Sequence, residues 1–344
     1  MTAACGQEDL KAEAIERLGL VSDHAYSLIG VRTIIHPKEG KVQLCEIRNP
    51  WGWASEEWNG KWSDTYKGWN DIPDIKKSMD FKDDGRFMMS FEDFKTYFDY
   101  VTVCRMHNEY YYISYPVRTN HTSYSIRTFS LTEPGSFYLT LSQKDERYFR
   151  GSKTINYAYT VARIVLGKKN ADDTYEYIDA ACDQCKNLTL TCEELEAGEY
   201  YVVVAVDTAD QKMVYDCVLN YYGSQDITFD RVRYKDDSGV LEKIMSGGGK
   251  GRAMITEKKK DFEYNCYLSL EEGMITETYH NLGNKELTFN KDYSKLDQGK
   301  YVVMREDQSS KFKIKVNPDE TVAICSKILN IFDAIDGKAM NDLK

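Results

Sequence analysis

Two short apolar runs, Ser27-Leu28-Ile29-Gly30-Val31 and Val42-Gln43-Leu44-Cys45-Glu46-Ile47, flank Pro37-Lys38-Glu39-Gly40. Runs of this length on either side of a Pro/Gly turn predict an antiparallel β-hairpin. Residues equidistant from the turn of a hairpin face each other. With its centre near His36-Pro37, this one sets His24 opposite Asn49 at its open end, on strands about 5 Å apart.

An imidazole beside a carboxamide has a specific chemical use. A thiol becomes a competent nucleophile when an imidazole takes its proton, and a third group must accept the ring's other N–H to hold one tautomer. Asn49 can do this without adding negative charge, which suits a thiolate–imidazolium pair. Trp51, two residues on, is placed to shield that hydrogen bond from water.

Four blocks then carry a family resemblance. They are His24-Ala25-Tyr26-Ser27, Ile47-Arg48-Asn49-Pro50-Trp51-Gly52, Glu57-Trp58-Asn59-Gly60-Lys61-Trp62-Ser63-Asp64, and Asp84-Gly85-Arg86-Phe87-Met88-Met89-Ser90-Phe91-Glu92-Asp93-Phe94. In this order they closely resemble the second half of the protease core of the calpains, papain-like cysteine proteases. The resemblance covers about residues 1–104 and implies His24 and Asn49 as catalytic residues, with Trp51 in support. The first half of that core carries the nucleophilic cysteine in the family, within Gln-x-Gly-x-Cys-Trp, and has no counterpart in these residues. None of the nine cysteines has that context. Cys5 resembles the segment that opens the family's second lobe, and Cys45 reads as core.

The resemblance also implies a calcium site in this lobe. The matching positions are Glu57, Asp64 and Asp84, with the backbone carbonyl of Lys82, and such hard oxygen ligands are what Ca²⁺ takes. Arg86 stands where the family has an acidic residue, which weakens the site, and Glu56 or Asp83 are the nearest compensating carboxylates.

The rest reads as mainly β, giving an α+β chain overall. A chain of 344 residues is long enough for two or three domains. Residues 7–19 have helical spacing, and Trp58 and Trp62 are expected in the core of a small lobe. From Glu109 the sequence is rich in Tyr, Val and Thr in short alternating runs, clearest at Phe137–Leu141, Tyr157–Leu166 and Tyr200–Val206, the pattern of an antiparallel sandwich. Residues 105–225 resemble the C2-like sandwich that follows the calpain protease core. Tyr138-Leu139-Thr140-Leu141, Leu188-Thr189-Leu190 and Gly198-Glu199-Tyr200 recur as Tyr267-Leu268-Ser269-Leu270, Leu287-Thr288-Phe289 and Gly299-Lys300-Tyr301, predicting a second sandwich over 226–327. A short apolar-faced helix is expected over 328–344.

Charge and cysteine usage narrow the partners. The net charge of −10 lacks any basic, aromatic-interleaved stretch to offset it and argues against nucleic acid; Lys258–Lys260 reads as a solvated run. No apolar run approaches membrane-spanning length, no secretion signal is evident, and an odd, irregularly spaced set of cysteines fits reduced thiols, so a cytoplasmic protein is expected. Cys182, Cys185 and Cys192 fall short of a zinc set, and Ser246–Gly251 lacks the ending of a phosphate-binding loop.

Two functional expectations follow. One is the His/Asn portion of a calcium-dependent cysteine endopeptidase, acting on protein substrates with a cysteine-bearing lobe from elsewhere. The other is an inactive calpain relative whose sandwiches bind proteins or membrane surfaces.

Overall fold

A computed structural model describes residues 1–5, 12–52, 57–82, 84–119, 124–151, 157–207, 215–232, 239–248, 252–269, 272–294, 301–303 and 310–328. The chain divides into two compact units, Met1–Asn108 and Glu109–Lys344.

The first unit holds strands β1 (Thr2–Cys5), β2 (His24–His36), β3 (Gly40–Arg48), β4 (Arg86–Ser90) and β5 (Phe98–Thr102), and helices α1 (Ala12–Glu16), α2 (Pro73–Lys77) and α3 (Phe91–Tyr97). The strands form one sheet in the order β4-β3-β2-β1-β5, antiparallel throughout. Helix α1 accounts for five residues of the expected 7–19, while 6–11 lie outside the described residues. Ser90 caps α3, its hydroxyl accepting the Asp93 N–H at 3.0 Å.

The expected hairpin is β2–β3, but its register differs from the prediction. Ser27 pairs with Arg48, Leu28 with Ile47 and, after a bulge at Ile29, Gly30 with Glu46, ending at His36 and Gly40. The turn is therefore Pro37–Glu39, and the bulge shifts one strand against the other. His24 is not a register partner of Asn49: the β2–β3 pairing begins at Ser27 and Arg48, Asn49 lies one residue past the end of β3, and on its other side His24 pairs with Cys5 of β1.

Two cores fill this unit. Tyr26, Ile47, Trp58, Phe87, Phe94 and Phe98 build one, and Ile34, Leu44, Trp62, Trp69 and Met88 the other. Trp58 and Trp62 are buried as expected, Trp58 donating its indole N–H to the Lys61 carbonyl at 2.8 Å.

The second unit opens with β6 (Tyr111–Thr119), β7 (Ser125–Leu131), β8 (Gly135–Ser142), β9 (Ala162–Lys169), β10 (Tyr175–Asp183), β11 (Asn187–Leu195), β12 (Gly198–Val206), β13 (Tyr215–Gly223) and β14 (Asp230–Arg231). These make two facing sheets, β10-β9-β12-β7-β14 and β11-β8-β13-β6, in which every pairing is antiparallel. Phe129, Phe137, Leu139, Leu141, Val202 and Val204 are among the side chains that interdigitate between them.

The first of these sheets is covered on its other face as well. Helix α4 (Val240–Gly247) and strands β15 (Arg252–Lys258), β16 (Phe262–Ser269), β17 (Met274–Asn281), β18 (Leu287–Asp292), β19 (Tyr301–Val303), β20 (Lys311–Val316) and β21 (Thr321–Ile328) follow. Ile126, Val165, Tyr201, Val203 and Ala205 from the sandwich share one core with Val240, Leu241, Ile244 and Met245 of α4 and with Met274, Ala323 and Cys325 of β17 and β21. Cover on both faces explains why Tyr200–Val206 reads as an unbroken apolar run.

The last strands form a five-stranded sheet, β15-β16-β17-β21-β19, and a two-stranded ribbon, β18-β20. Their pairing does not repeat that of the first sandwich. Strand β8 pairs with β11, whereas the echoing β16 and β18 belong to different sheets, and β12 is central where β19 is an edge. Of the expected terminal helix, Ile328 ends β21 and 329–344 lie outside the described residues.

Polar anchors reinforce this shared core. Arg163, 2% exposed, donates Nη1 to Asp207 Oδ1 at 2.7 Å, Nε to the Gly273 carbonyl at 3.1 Å and Nη2 to the Ile328 carbonyl. Lys327, fully buried, places Nζ 3.6 Å from the same Asp207 oxygen. Burial pulls the Lys327 ammonium down to about 8 despite Asp207.

Candidate active site

His24 begins β2, and Asn49 follows β3, the strand that pairs with β2. Although they are not register partners, their side chains meet: His24 Nε2 lies 2.9 Å from Asn49 Oδ1. That oxygen also accepts the Trp51 backbone N–H at 3.1 Å. A backbone N–H can only donate, so it identifies the atom facing His24 as the amide oxygen, and His24 Nε2 must carry the proton. In the neutral ring the lone pair is then on the other nitrogen, Nδ1.

Asn49 is fixed from several sides. It is fully buried, its N–H donates to the Gly85 carbonyl at 2.8 Å, and its carbonyl accepts the Gly52 N–H at 3.1 Å. Gly85 makes the close approach possible: its φ is +84°, and a Cβ there would lie 2.8 Å from the Asn49 carbonyl oxygen. Asn49 Nδ2 is buried without a hydrogen-bond partner among the described residues. The Trp51 ring lies 4.3 Å from the imidazole, tilted by 42°, and is 63% exposed, so it covers the ring from the solvent side.

The thiol nearest in register is inert. Cys5 pairs with His24 across the sheet, yet it is fully buried, and burial followed by the charge of Asp99 pushes it up to about 11. Cys45 is buried in the same core and raised by desolvation.

The carboxylates implied for calcium occupy neighbouring loops. Glu57 Oε1 accepts the Gly85 N–H at 2.7 Å, Asp84 Oδ1 accepts the Arg86 N–H at 3.0 Å, and the Lys82 carbonyl accepts the Asp84 N–H at 2.8 Å. Burial, and after it the charges of Glu57, Asp84 and Asp80, push Asp64 up to about 7. Arg86 lies 3.9 Å from both Asp84 Oδ2 and Glu46 Oε1. The donors fit a hard divalent cation in charge and atom type. Among the described residues, however, no three His, Cys, Asp or Glu side chains converge closely enough to hold a metal ion. Glu56 and Asp83 lie outside the described residues.

With this geometry in view, comparison with known proteins becomes specific. The profile described as calpain family cysteine protease matches residues 1–105. The first unit is similar to the calpain family over almost all of its length. Calpain clp-1 of Caenorhabditis elegans is 44% identical over 91 residues, which is 26% of this chain and 11% of that protein. Calpain-A of Drosophila melanogaster is 42% identical over 100 residues, 27% of this chain and 12% of that protein. Human calpain-9 is 39% identical over 99 residues, 28% and 14% respectively. The chain thus spans between a tenth and a seventh of the length of these calpains.

Two contributors to the calpain-like unit escaped the sequence reading. Gly85 gave no signal beyond being a glycine before a strand, since its role depends on how closely the Asn49 backbone passes. Tyr26 was legible in principle, because residues two apart on a strand share a face and its ring lies 4.9 Å from that of His24.

Proposed function

We propose that this chain carries the general-base half of a calpain-type cysteine endopeptidase. The observation that carries this reading is the His24 Nε2–Asn49 Oδ1 hydrogen bond at 2.9 Å, with the amide orientation set by the Trp51 N–H. With its proton committed to Asn49, the imidazole offers Nδ1 to the thiol of a cysteine-bearing lobe. The thiolate attacks the peptide carbonyl of a protein substrate, and His24 then returns the proton to the leaving amine as general acid. Asn49 stabilises the imidazolium by orientation rather than by opposite charge.

Calcium, when bound, would draw the Glu57–Asp64 and Lys82–Asp84 segments together through Glu57, Asp64, Asp84 and the Lys82 carbonyl. Residues 105–225 are read as a C2-like sandwich for protein or membrane surfaces. Nine free cysteines accord with action in the cytoplasm. No helix among the described residues is long and apolar enough to cross a membrane.

The reading is tested by mixing the chain with a separately produced cysteine-bearing calpain lobe and following cleavage of a fluorogenic peptide. Turnover is expected only in the mixture and is abolished by His24→Ala. Turnover that survives this change overturns it. The buried, raised thiol of Cys5 favours a second reading for the chain alone, a non-catalytic binding module. In that case an active-site thiol probe leaves the isolated chain unlabelled.

A further inference from the structure

The imidazole of His24 is contacted by two aromatic rings of very different rigidity. Trp51, on the solvent side, is 63% exposed and sits in a turn. Tyr26, 1% exposed, meets the imidazole at 79° with ring centres 4.9 Å apart.

Tyr26 is itself held at three points. Its ring packs perpendicular to Phe98 at 5.4 Å and to Phe87 at 6.1 Å, and its hydroxyl accepts the Val21 N–H at 2.8 Å. The hydroxyl bond also ties the loop before β2 to the strand that carries His24. Because His24 and Tyr26 are two apart on one strand, their side chains leave the same face, and the fixed ring limits how far the imidazole can swing.

We infer that Tyr26 is a positioning residue for the base. It holds the imidazole plane so that Nε2–H stays on Asn49 Oδ1 and the Nδ1 lone pair keeps its direction towards the incoming thiol. Phe98 and Phe87 act one step further out, fixing Tyr26 rather than His24. This rests on the reading of His24 as the base, but it concerns the ring's hydrogen bond and is measurable without turnover.

The experiment is nitrogen-15 NMR of the imidazole in the 344-residue chain, reading the tautomer ratio and the exchange of Nε2–H with water. The wild type is expected to show predominantly the Nε2–H tautomer. Tyr26→Leu keeps an apolar side chain but removes the ring wall, and is expected to raise the minor tautomer and quicken exchange by about fivefold, the equilibrium factor of one net hydrogen bond. Tyr26→Phe restores the wild-type signature, since the ring remains. Phe98→Leu softens the same core without touching His24 and is expected to change the tautomer ratio less than Tyr26→Leu does, because it loosens the ring that meets the imidazole without removing it. An unaltered ratio and exchange rate in Tyr26→Leu overturns the inference, as does an equal change in Phe98→Leu. Peptide cleavage by the mixed lobes is independent of these outcomes, so failure of the protease reading and failure of this one are told apart.

Discussion

Replacing Asp207 by Asn leaves two buried cations without their shared counter-ion. Arg163 and Lys327 are 2% and 0% exposed, and both address the same Asp207 oxygen, at 2.7 and 3.6 Å. Removing one partner of such a buried pair costs about 3–5 kcal/mol, because the remaining charge stays desolvated. Lys327→Met does the opposite: it removes a cation already pulled down to about 8 by burial and leaves Arg163 with Asp207 to itself. That change should cost less than about 1 kcal/mol or stabilise, as apolar replacement of buried charge often does.

The assay is urea denaturation with two probes. All five tryptophans, at 51, 53, 58, 62 and 69, belong to the first unit, so their fluorescence reports that unit, while far-ultraviolet circular dichroism also follows the strands of the second. With a slope of roughly 1–3 kcal/mol per molar urea, a loss of 4 kcal/mol moves the second unit's midpoint down by more than about 1 M. The tryptophan transition should stay where it was. Equal losses in Asp207→Asn and Lys327→Met, or no loss in the former, would refute the charge argument.

Three further outcomes are expected. Gly85→Ala combines a positive φ with a 2.8 Å approach to the Asn49 carbonyl and should displace Asn49, lowering peptide cleavage by the mixed lobes by at least about tenfold, the effect of misplacing a catalytic group. Asp64 has its proton affinity raised from the ordinary 3.8 to about 7, so the folded state binds the extra proton and stability falls as pH rises from about 4 to about 7; Asp64→Asn should flatten that fall in metal-free thermal melts. Added calcium should raise the melting temperature of the wild type at pH 8 more than that of Asp64→Asn, and Arg86→Glu should enlarge the wild-type shift, both readable by thermal scanning without any substrate.

What could be read beforehand follows the range of each signal. The hairpin and the burial of Trp58 and Trp62 rest on local turn chemistry and nearby apolar positions, and they appear in the structure, whereas His24 and Asn49 meet through their side chains and not as the register partners expected. The register did not follow, because the turn is centred on Lys38 rather than near His36-Pro37, and the bulge at Ile29, one residue with no special composition, offsets only part of that shift. The sandwich of β6–β14 was visible in its alternation. The pairing of β15–β21 was not, since similar strand segments such as Tyr138–Leu141 and Tyr267–Leu270 carry no record of their neighbours. Nor did Arg163 and Lys327 stand out: a lone basic residue in a strand reads as surface until Asp207, 44 positions from Arg163 and just past the end of β12, is known to be buried with it.

The side of β9 and β12 turned away from the sandwich interior bears on how this chain can be divided by experiment or by gene rearrangement. A protein ending after Arg231 would turn Val165, Tyr201, Val203 and Ala205 outwards as a greasy plateau, with the Arg163 guanidinium stripped of two carbonyl acceptors. Such a fragment should clump or recruit chaperones when made alone. Any lineage that shed the terminal strands would have had to repaint that plateau with polar side chains at the same time.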